Sequence, residues 1–326
     1  MPEAVGPAMR IARPGPFTAA KTLFSPKALS VSHVATLISS PHAAITAEAL
    51  RSAREILESA GEPIWLHEGI AADVPFRPLP GSQDLSALLR QALAGQPIDV
   101  VLQPLAHRRK RLFLADMDST MIEQECIDEL ADTIGMKGEV SAITERAMRG
   151  EIAFEPALRE RVALLKGLPV GVIDQIIEER IGLTPGGTVL VRTMRTHGVY
   201  TCLVSGGFTL FTGPIAARIG FDEHRSNRLL LAGETLEGRV EEPILGREAK
   251  LATLVALRER LGLQREETLA VGDGANDLAM LGGAGLGIAF RAKPAVAAAA
   301  HARIDHADLT ALLYLQGYRA DEFVFA

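Results

Sequence analysis

Asp116-Met117-Asp118-Ser119-Thr120 directly follows the apolar run Leu112-Phe113-Leu114-Ala115, and these two acids carry the first chemical signal in the chain. Two carboxylates one residue apart at the carboxyl end of a short buried strand form a costly like-charge pair unless a cation or a reaction needs them. Ligands of an open α/β sheet collect beyond the carboxyl ends of its strands, so the pair points to a metal and to phosphate. Asp is also common in turns after strands, and by itself the motif is only suggestive.

A second acidic strand end narrows the reading. Leu269-Ala270-Val271 runs into Gly272-Asp273-Gly274-Ala275-Asn276-Asp277, with a helical pattern from Leu278. The stretch has the layout of a dinucleotide-binding glycine turn, but Asp277 occupies the third small position and would repel a pyrophosphate. Carboxylates there suit Mg²⁺, which takes a few acidic oxygens and completes its octahedron with water and substrate phosphate. Gly272 and Gly274 would let the backbone turn sharply and approach the ion. Between the two acidic ends, the β-branched and aromatic strand Val199 to Val204 leads into Ser205-Gly206-Gly207-Phe208, and Lys250 stands at the start of a long helical stretch. A hydroxyl and free N–H groups at a helix start make an anion site. Taken singly, Ser205 reads equally well as an N-cap and Lys250 as a solvated surface lysine.

The order of these features is that of the haloacid dehalogenase-like phosphohydrolases, and within that superfamily the chain resembles the phosphoserine phosphatases. The resemblance runs from about Lys110 to the C-terminus. It is carried by Asp116 to Thr120, Glu125-Cys126-Ile127-Asp128-Glu129-Leu130-Ala131, Met148 to Leu165, Val204 to Phe208, Lys250, Val271 to Met280 and Ala292-Lys293-Pro294. It implies Asp116 as a nucleophile forming an aspartyl-phosphate, and Asp118 as general acid and then base. Mg²⁺ would be held by Asp116, the Asp118 carbonyl and Asp273, with Asp277 as a further or water-mediated contact. Ser205, the Gly206 N–H and Lys250 would hold the phosphoryl oxygens, and Asn276 would orient Lys250 or an acid.

Substrate choice falls to an insertion from about 121 to 184, which reads as four helical segments without a strand and could close as a lid. In the third of these, Phe154, Leu158, Arg161, Val162 and Leu165 share one face, placing Arg161 within an apolar stripe. Periodicity alone allows a snorkelling arginine there as readily as a ligand. The resemblance implies that Arg161 binds the substrate carboxylate and Glu125 its ammonium, whereas spacing alone would leave Glu125 solvated. It likewise matches Met148 and Phe154 to apolar residues lining the lid side of the pocket, although core packing is the ordinary role of either.

Around these residues the chain must supply a doubly wound parallel α/β sheet, a helical cap, and, before residue 105, a small α/β domain of its own. At 326 residues and 48% hydrophobic content it can bury one full core and a second, smaller one. Net charge is −6, from 34 basic and 40 acidic residues, which argues against a nucleic-acid partner. Cys126 and Cys202 both lie among apolar neighbours, as expected of reduced thiols in a cytoplasmic protein. No apolar stretch reaches the ~18 residues of a membrane helix, which also excludes the ion-pumping ATPases with related motifs. Residues 1–28, rich in Pro and Ala, read as a disordered extension without a signal peptide.

From residue 29 to 104 the spacing predicts strands at Ser32 to Ile38, Pro63 to Glu68 and Ile98 to Gln103, with helices at Ala47 to Ala60 and Leu85 to Ala94. Asp73, Asp84, Asp99 and His67 form no catalytic set there. The unit is similar in scale to regulatory or oligomerisation domains of amino-acid enzymes, which is compatible with a homo-oligomer. Residues 104–109 read as a linker, and the basic run His107 to Arg111 as a solvated hinge. The expectation is a cytoplasmic Mg²⁺-dependent hydrolase of O-phosphoserine. The alternatives are a phosphatase or phosphotransferase for another small phosphomonoester, and a non-catalytic amino-acid sensor.

Overall fold

The computed structural model describes residues 31–57, 60–78, 84–148 and 151–325, apart from the side chain of Met148. The extension expected over residues 1–28 lies outside them.

The N-terminal part contains β1 (His33–Ser39), α1 (Ala47–Ile56), β2 (Ile64–His67), β3 (Ala71–Phe76), α2 (Leu85–Ala92) and β4 (Ile98–Pro104). The strands form an antiparallel sheet in the order β2-β3-β1-β4. β3 is the element that spacing did not predict. All six of its residues are buried, so no alternation marks it, and Asp73 and Pro75 both read as strand breakers. Pro75 is tolerated because β2 pairs only with Ala71 to Asp73, leaving β3 an edge at that point. One face of the sheet packs Ala72, Val74 and Phe76 with residues of α1 and α2, including Ala49 and Leu89.

The larger part is built on six parallel strands, β5 (Leu112–Ala115), β6 (Tyr200–Phe208), β7 (Glu223–Asn227), β10 (Thr268–Gly272), β11 (Leu286–Phe290) and β12 (Ala302–Ile304). Their order is β12-β11-β10-β5-β6-β7, so the chain winds one way from β5 to β6 and β7 and the other way through β10 to β12. This is the doubly wound sheet expected. Alternation within β5 divides the core: Leu112 and Leu114 face one layer with Leu254 and Leu257, while Phe113 and Ala115 face the other with Leu190 and Phe211. Those residues come from α9 (Arg247–Arg260) on one side and from α7 (Gly187–Thr196) and α8 (Thr209–Ile219) on the other. The chain finishes through α10 (Leu278–Gly283), α11 (Pro294–Ala299) and α12 (Ala311–Leu315).

The insertion after β5 holds α3 (Cys126–Asp132), α4 (Lys137–Met148), α5 (Phe154–Leu164) and α6 (Gly171–Glu179), the four helices expected. Its root is a short two-stranded contact: Ile122 bridges Leu183, Glu123 N–H donates to Gly182 O at 3.0 Å, and Thr184 N–H donates to Met121 O at 3.0 Å. An unforeseen hairpin, β8 (Leu229–Ala232) and β9 (Thr235–Val240), rises from the core and bonds to the α5–α6 connection.

The basic run before β5 is not a solvated hinge. Arg108 donates to both carboxylate oxygens of Asp73 at 2.6 and 2.7 Å, to Thr36 Oγ1 at 3.0 Å, and to the carbonyls of Tyr314 and Leu315 at 3.0 and 2.8 Å. Lys110 is buried with its ammonium on Glu266 O at 2.7 Å. These cations are consumed by a buried acid and by free carbonyls near helix ends, partners that only the tertiary fold assembles.

Candidate active site

Four segments converge beyond the carboxyl ends of β5, β6 and β10. Asp116 continues β5, its N–H donating to Val271 O at 3.0 Å. The chain then makes one wide turn over Met117–Met121, closed by Ile122 N–H to Met117 O at 3.0 Å, with Ser119 in the left-handed region at φ 54°. This turn aims Asp118 back across the strand ends. Asp118 Oδ1 accepts from Cys126 N–H at 2.8 Å and Oδ2 from Ser205 Oγ at 3.1 Å. Ser205 is fully buried and its Oγ accepts from Gly207 N–H at 2.8 Å. It is not a helix cap, because α8 begins only at Thr209.

Lys250 is not a surface lysine. Its side chain is 1% exposed, and Nζ lies 2.7 Å from Asp116 Oδ1 and 2.7 Å from Asp277 Oδ1. Burial works against its charge, but the Asp116 and Asp277 carboxylates outweigh that and hold the ammonium protonated above its usual range. Asp116 is pushed well up by burial and then by the nearby Asp277 charge, against the pull of Lys250. Asp273 is raised for the same two reasons, and its Oδ1 accepts from Thr120 Oγ1 at 3.0 Å.

Asp116, Asp273 and Asp277 each offer a carboxylate oxygen, and the three oxygens lie within 4.8 Å of one another. An all-oxygen set in which Asp116 and Asp273 resist ionisation without added positive charge suits a hard divalent cation. Asp277 is the deepest of the three: Oδ1 holds Lys250 and Oδ2 accepts from Gly274 N–H at 3.0 Å. The flanking glycines serve space rather than turning, since neither has positive φ. A Cβ on Gly272 would overlap the Asp277 carboxyl group. Asn276 stands half-buried beside Asp277, while the Lys250 ammonium itself is held by Asp277 and Asp116.

The cap carries Glu125, Arg161 and Phe154. Glu125, at the start of α3, accepts from Ser119 Oγ at 2.7 Å. Crowding by protein, then the Asp118 carboxylate, push its carboxyl up to about 7. Arg161 is partly buried on α5, with long hydrogen bonds to Ala157 O at 3.3 Å and Thr144 Oγ1 at 3.4 Å. Burial lowers its pKa against the opposing fields of Asp128 and Glu125. Arg159 points the other way, onto Glu242 and Glu155. Phe154 is not core: it is 36% exposed, and Cβ atoms built on Gly206 and Gly246 would lie 3.3 and 3.4 Å from its ring. The Met148 side chain lies outside the described residues.

Sequence reasoning missed Ser119 as the partner of Glu125, Thr120 as the partner of Asp273, and Asn227. Ser119 and Thr120 lie inside a quoted motif, where a hydroxyl next to acids is a usable signal. Asn227 ends the polar strand β7 and carries none.

This sheet, with an acidic turn after β5 and a helical insertion behind it, matches the model of the haloacid dehalogenase-like hydrolases over residues 113–282. The chain belongs to that family. It is 43% identical over 240 residues to a phosphoserine phosphatase of Mycobacterium tuberculosis, covering 73% of this chain and 58% of that protein. A Polaromonas phosphoserine phosphatase is 44% identical over 226 residues, 68% of this chain and 96% of its own length. The crystal structure of a probable phosphoserine phosphatase from Vibrio cholerae superposes with a TM-score of 0.73 at 29% identity, covering 91% of this chain and 89% of that one. The chain spans 58% to 65% of the length of the Mycobacterium protein and of two further curated relatives.

Proposed function

We propose that the chain hydrolyses O-phosphoserine to serine and phosphate, as the names of its relatives say of them, in the last step that frees serine from its phosphate ester. The observation that carries the reading is the convergence of Asp116, Asp118, Ser205, Lys250 and Asp273 on one point beyond three adjacent strands, with Glu125 of the cap bonded to Ser119 in the turn that bears Asp118.

Lys250 and the Met117 N–H both bond Asp116 Oδ1, and Oδ2 is the oxygen that attacks phosphorus in line. The P–O bond to serine breaks as Asp118 gives its proton to the departing serine oxygen. Asp118, now a carboxylate, takes a proton from water as that water attacks the aspartyl-phosphate, releasing phosphate and restoring Asp116. Ser205 Oγ, the Gly206 N–H and Lys250 hold the phosphoryl oxygens throughout. Asp116, the Asp118 carbonyl and Asp273, with Asp277 as a further or water-mediated contact, would hold Mg²⁺, which when bound would supply positive charge to offset that of the phosphoryl group. Arg161 takes the substrate carboxylate and Glu125 its ammonium, with Phe154 closing the apolar side and Asn276 lining the phosphate side. The enzyme works in the cytoplasm on this small molecule, and the N-terminal domain is an accessory unit suited to regulation or self-association.

Phosphate release from a panel of phosphomonoesters, with Mg²⁺ and with a chelator, tests the reading. Phosphoserine is expected to be the best substrate, with activity lost on chelation. Equal rates on esters lacking the ammonium and carboxylate, or no release at all, would overturn it.

A further inference from the structure

Asn227 closes β7 and is 3% exposed. Its side-chain amide joins two separate parts of the phosphate side of the site. Nδ2 donates to Gly206 O at 2.8 Å and to Leu245 O at 3.2 Å, and Oδ1 accepts from Leu245 N–H at 2.6 Å. Gly206 directly follows Ser205. Leu245 directly precedes Gly246, whose carbonyl accepts from Lys250 N–H at 3.3 Å. One buried amide therefore sets the spacing between the loop that carries Ser205 and the first turn of the helix that carries Lys250.

The same two segments receive the cap. Between Asn227 and Leu245 the chain makes the β8–β9 hairpin, closed at its root by Glu241 N–H to Arg228 O at 2.8 Å. The hairpin bonds the cap through Gly167 N–H to Leu236 O at 2.8 Å, Leu236 N–H to Leu168 O at 2.8 Å and Val170 N–H to Glu234 O at 2.9 Å. From the other side, the Phe154 ring rests on Gly206 and Gly246, the two glycines next to the points that Asn227 ties together. Cap displacement thus reaches both ends of the Asn227 tether.

We propose that Asn227 is a positioning residue that keeps the Ser205–Gly206 loop and the Lys250 helix in register and, with Gly206 and Gly246, forms the seat on which Phe154 closes. The proposal rests on the phosphomonoesterase reading for what occupies the site, but the tether itself does not. An amide suits the place because both a donor and an acceptor are needed. Aspartate would set a carboxylate against two carbonyls, and alanine would leave Gly206 O and Leu245 without that partner.

Asn227→Ala and Asn227→Asp in the full chain, compared with the unchanged protein, test this by kinetics and by hydrogen exchange. kcat is expected to fall about 10- to 100-fold on both phosphoserine and p-nitrophenyl phosphate, the size of loss that a small misplacement of reacting groups produces. The ratio of the two KM values should stay as in the unchanged protein, because Glu125 and Arg161 are untouched. Exchange should rise in segments 205–208 and 244–250 together while β10 stays protected. Unchanged kcat in a folded variant, or faster exchange in one segment only, overturns the proposal. Failure of both variants to fold also overturns it, making Asn227 a stability residue. If the unchanged protein releases phosphate from neither substrate, the proposed function fails, and the exchange of the two segments alone decides the tether.

Discussion

Asp73 and Arg108 form a buried two-pronged ion pair, 2.6 and 2.7 Å long, that joins the N-terminal sheet to the segment entering the catalytic sheet. Their side chains are 7% and 12% exposed, so neither charge can turn to water if the other is removed. Asp73→Ala should cost about 3–5 kcal/mol, because it leaves an uncompensated guanidinium. Denaturant unfolding checks this. A change below about 1 kcal/mol would show that the pair acts as an exposed one.

Asp116→Asn retains the shape of the side chain and removes the charge proposed to attack phosphorus. Turnover should fall by roughly 10³-fold or more while the circular dichroism spectrum is kept. Phosphate trapped on any residue other than Asp116 in the unchanged enzyme would remove it from the nucleophile's role.

On the proposed function, recognition and chemistry should separate at Arg161 and Lys250. Arg161→Ala should raise KM for phosphoserine by the equivalent of roughly 2–4 kcal/mol and leave p-nitrophenyl phosphate, which has no carboxylate, nearly unaffected. Lys250→Ala should lower kcat on both substrates. Matching losses on both substrates for Arg161→Ala would make that arginine structural.

The raised carboxyl of Glu125 gives a pH prediction with a definite sign. A carboxyl lifted to about 7 is neutral below that pH and an anion above it, so the grip on an ammonium proposed for it would be present above and lost below. kcat/KM for phosphoserine should therefore fall on the acid side of pH 7, by about tenfold per unit at the limit of one proton. Glu125→Gln should flatten that limb and lower the plateau. An acid limb that persists unchanged in the variant would assign it to another group.

Truncation at about residue 105 tests the division of labour. The Polaromonas relative matches 68% of this chain over 96% of its own length, so the catalytic unit has a counterpart of its own size. The truncated chain should keep Mg²⁺-dependent phosphoserine hydrolysis with kcat within about tenfold, ~1.4 kcal/mol in the barrier. It should also melt earlier, since Arg108 loses Asp73. A folded truncation without activity would place the N-terminal domain in the active site.

The parallel sheet and the cap were legible because their signals are local: continuous apolar strands ending in acids, and a helical period between Thr120 and Thr184. β3 was not, since burial on both faces erases alternation and its Asp and Pro are explained only by Arg108 and by the shortness of β2. The same holds at the site. Asp116, Asp118, Asp273 and Asp277 announce themselves as clustered charge, and Lys250 and Ser205 gain meaning from their order. Asn227, Thr120 and Ser119 act through hydrogen bonds between distant segments, which no spacing records. The basic run failed as a hinge for a related reason, because a cation's partner is set by the tertiary fold.

The junction of the two sheets also bears on solubility. β12 is the outermost strand of the six-stranded sheet on that side, and the loop after it is gripped by Asp99 of β4, whose carboxylate accepts from the N–H groups of Asp305, His306 and Ala307. The N-terminal domain therefore takes up three backbone N–H groups directly after that edge strand, groups that would otherwise be open to another chain. A folded neighbour anchored there limits how far another chain could extend the sheet from that side.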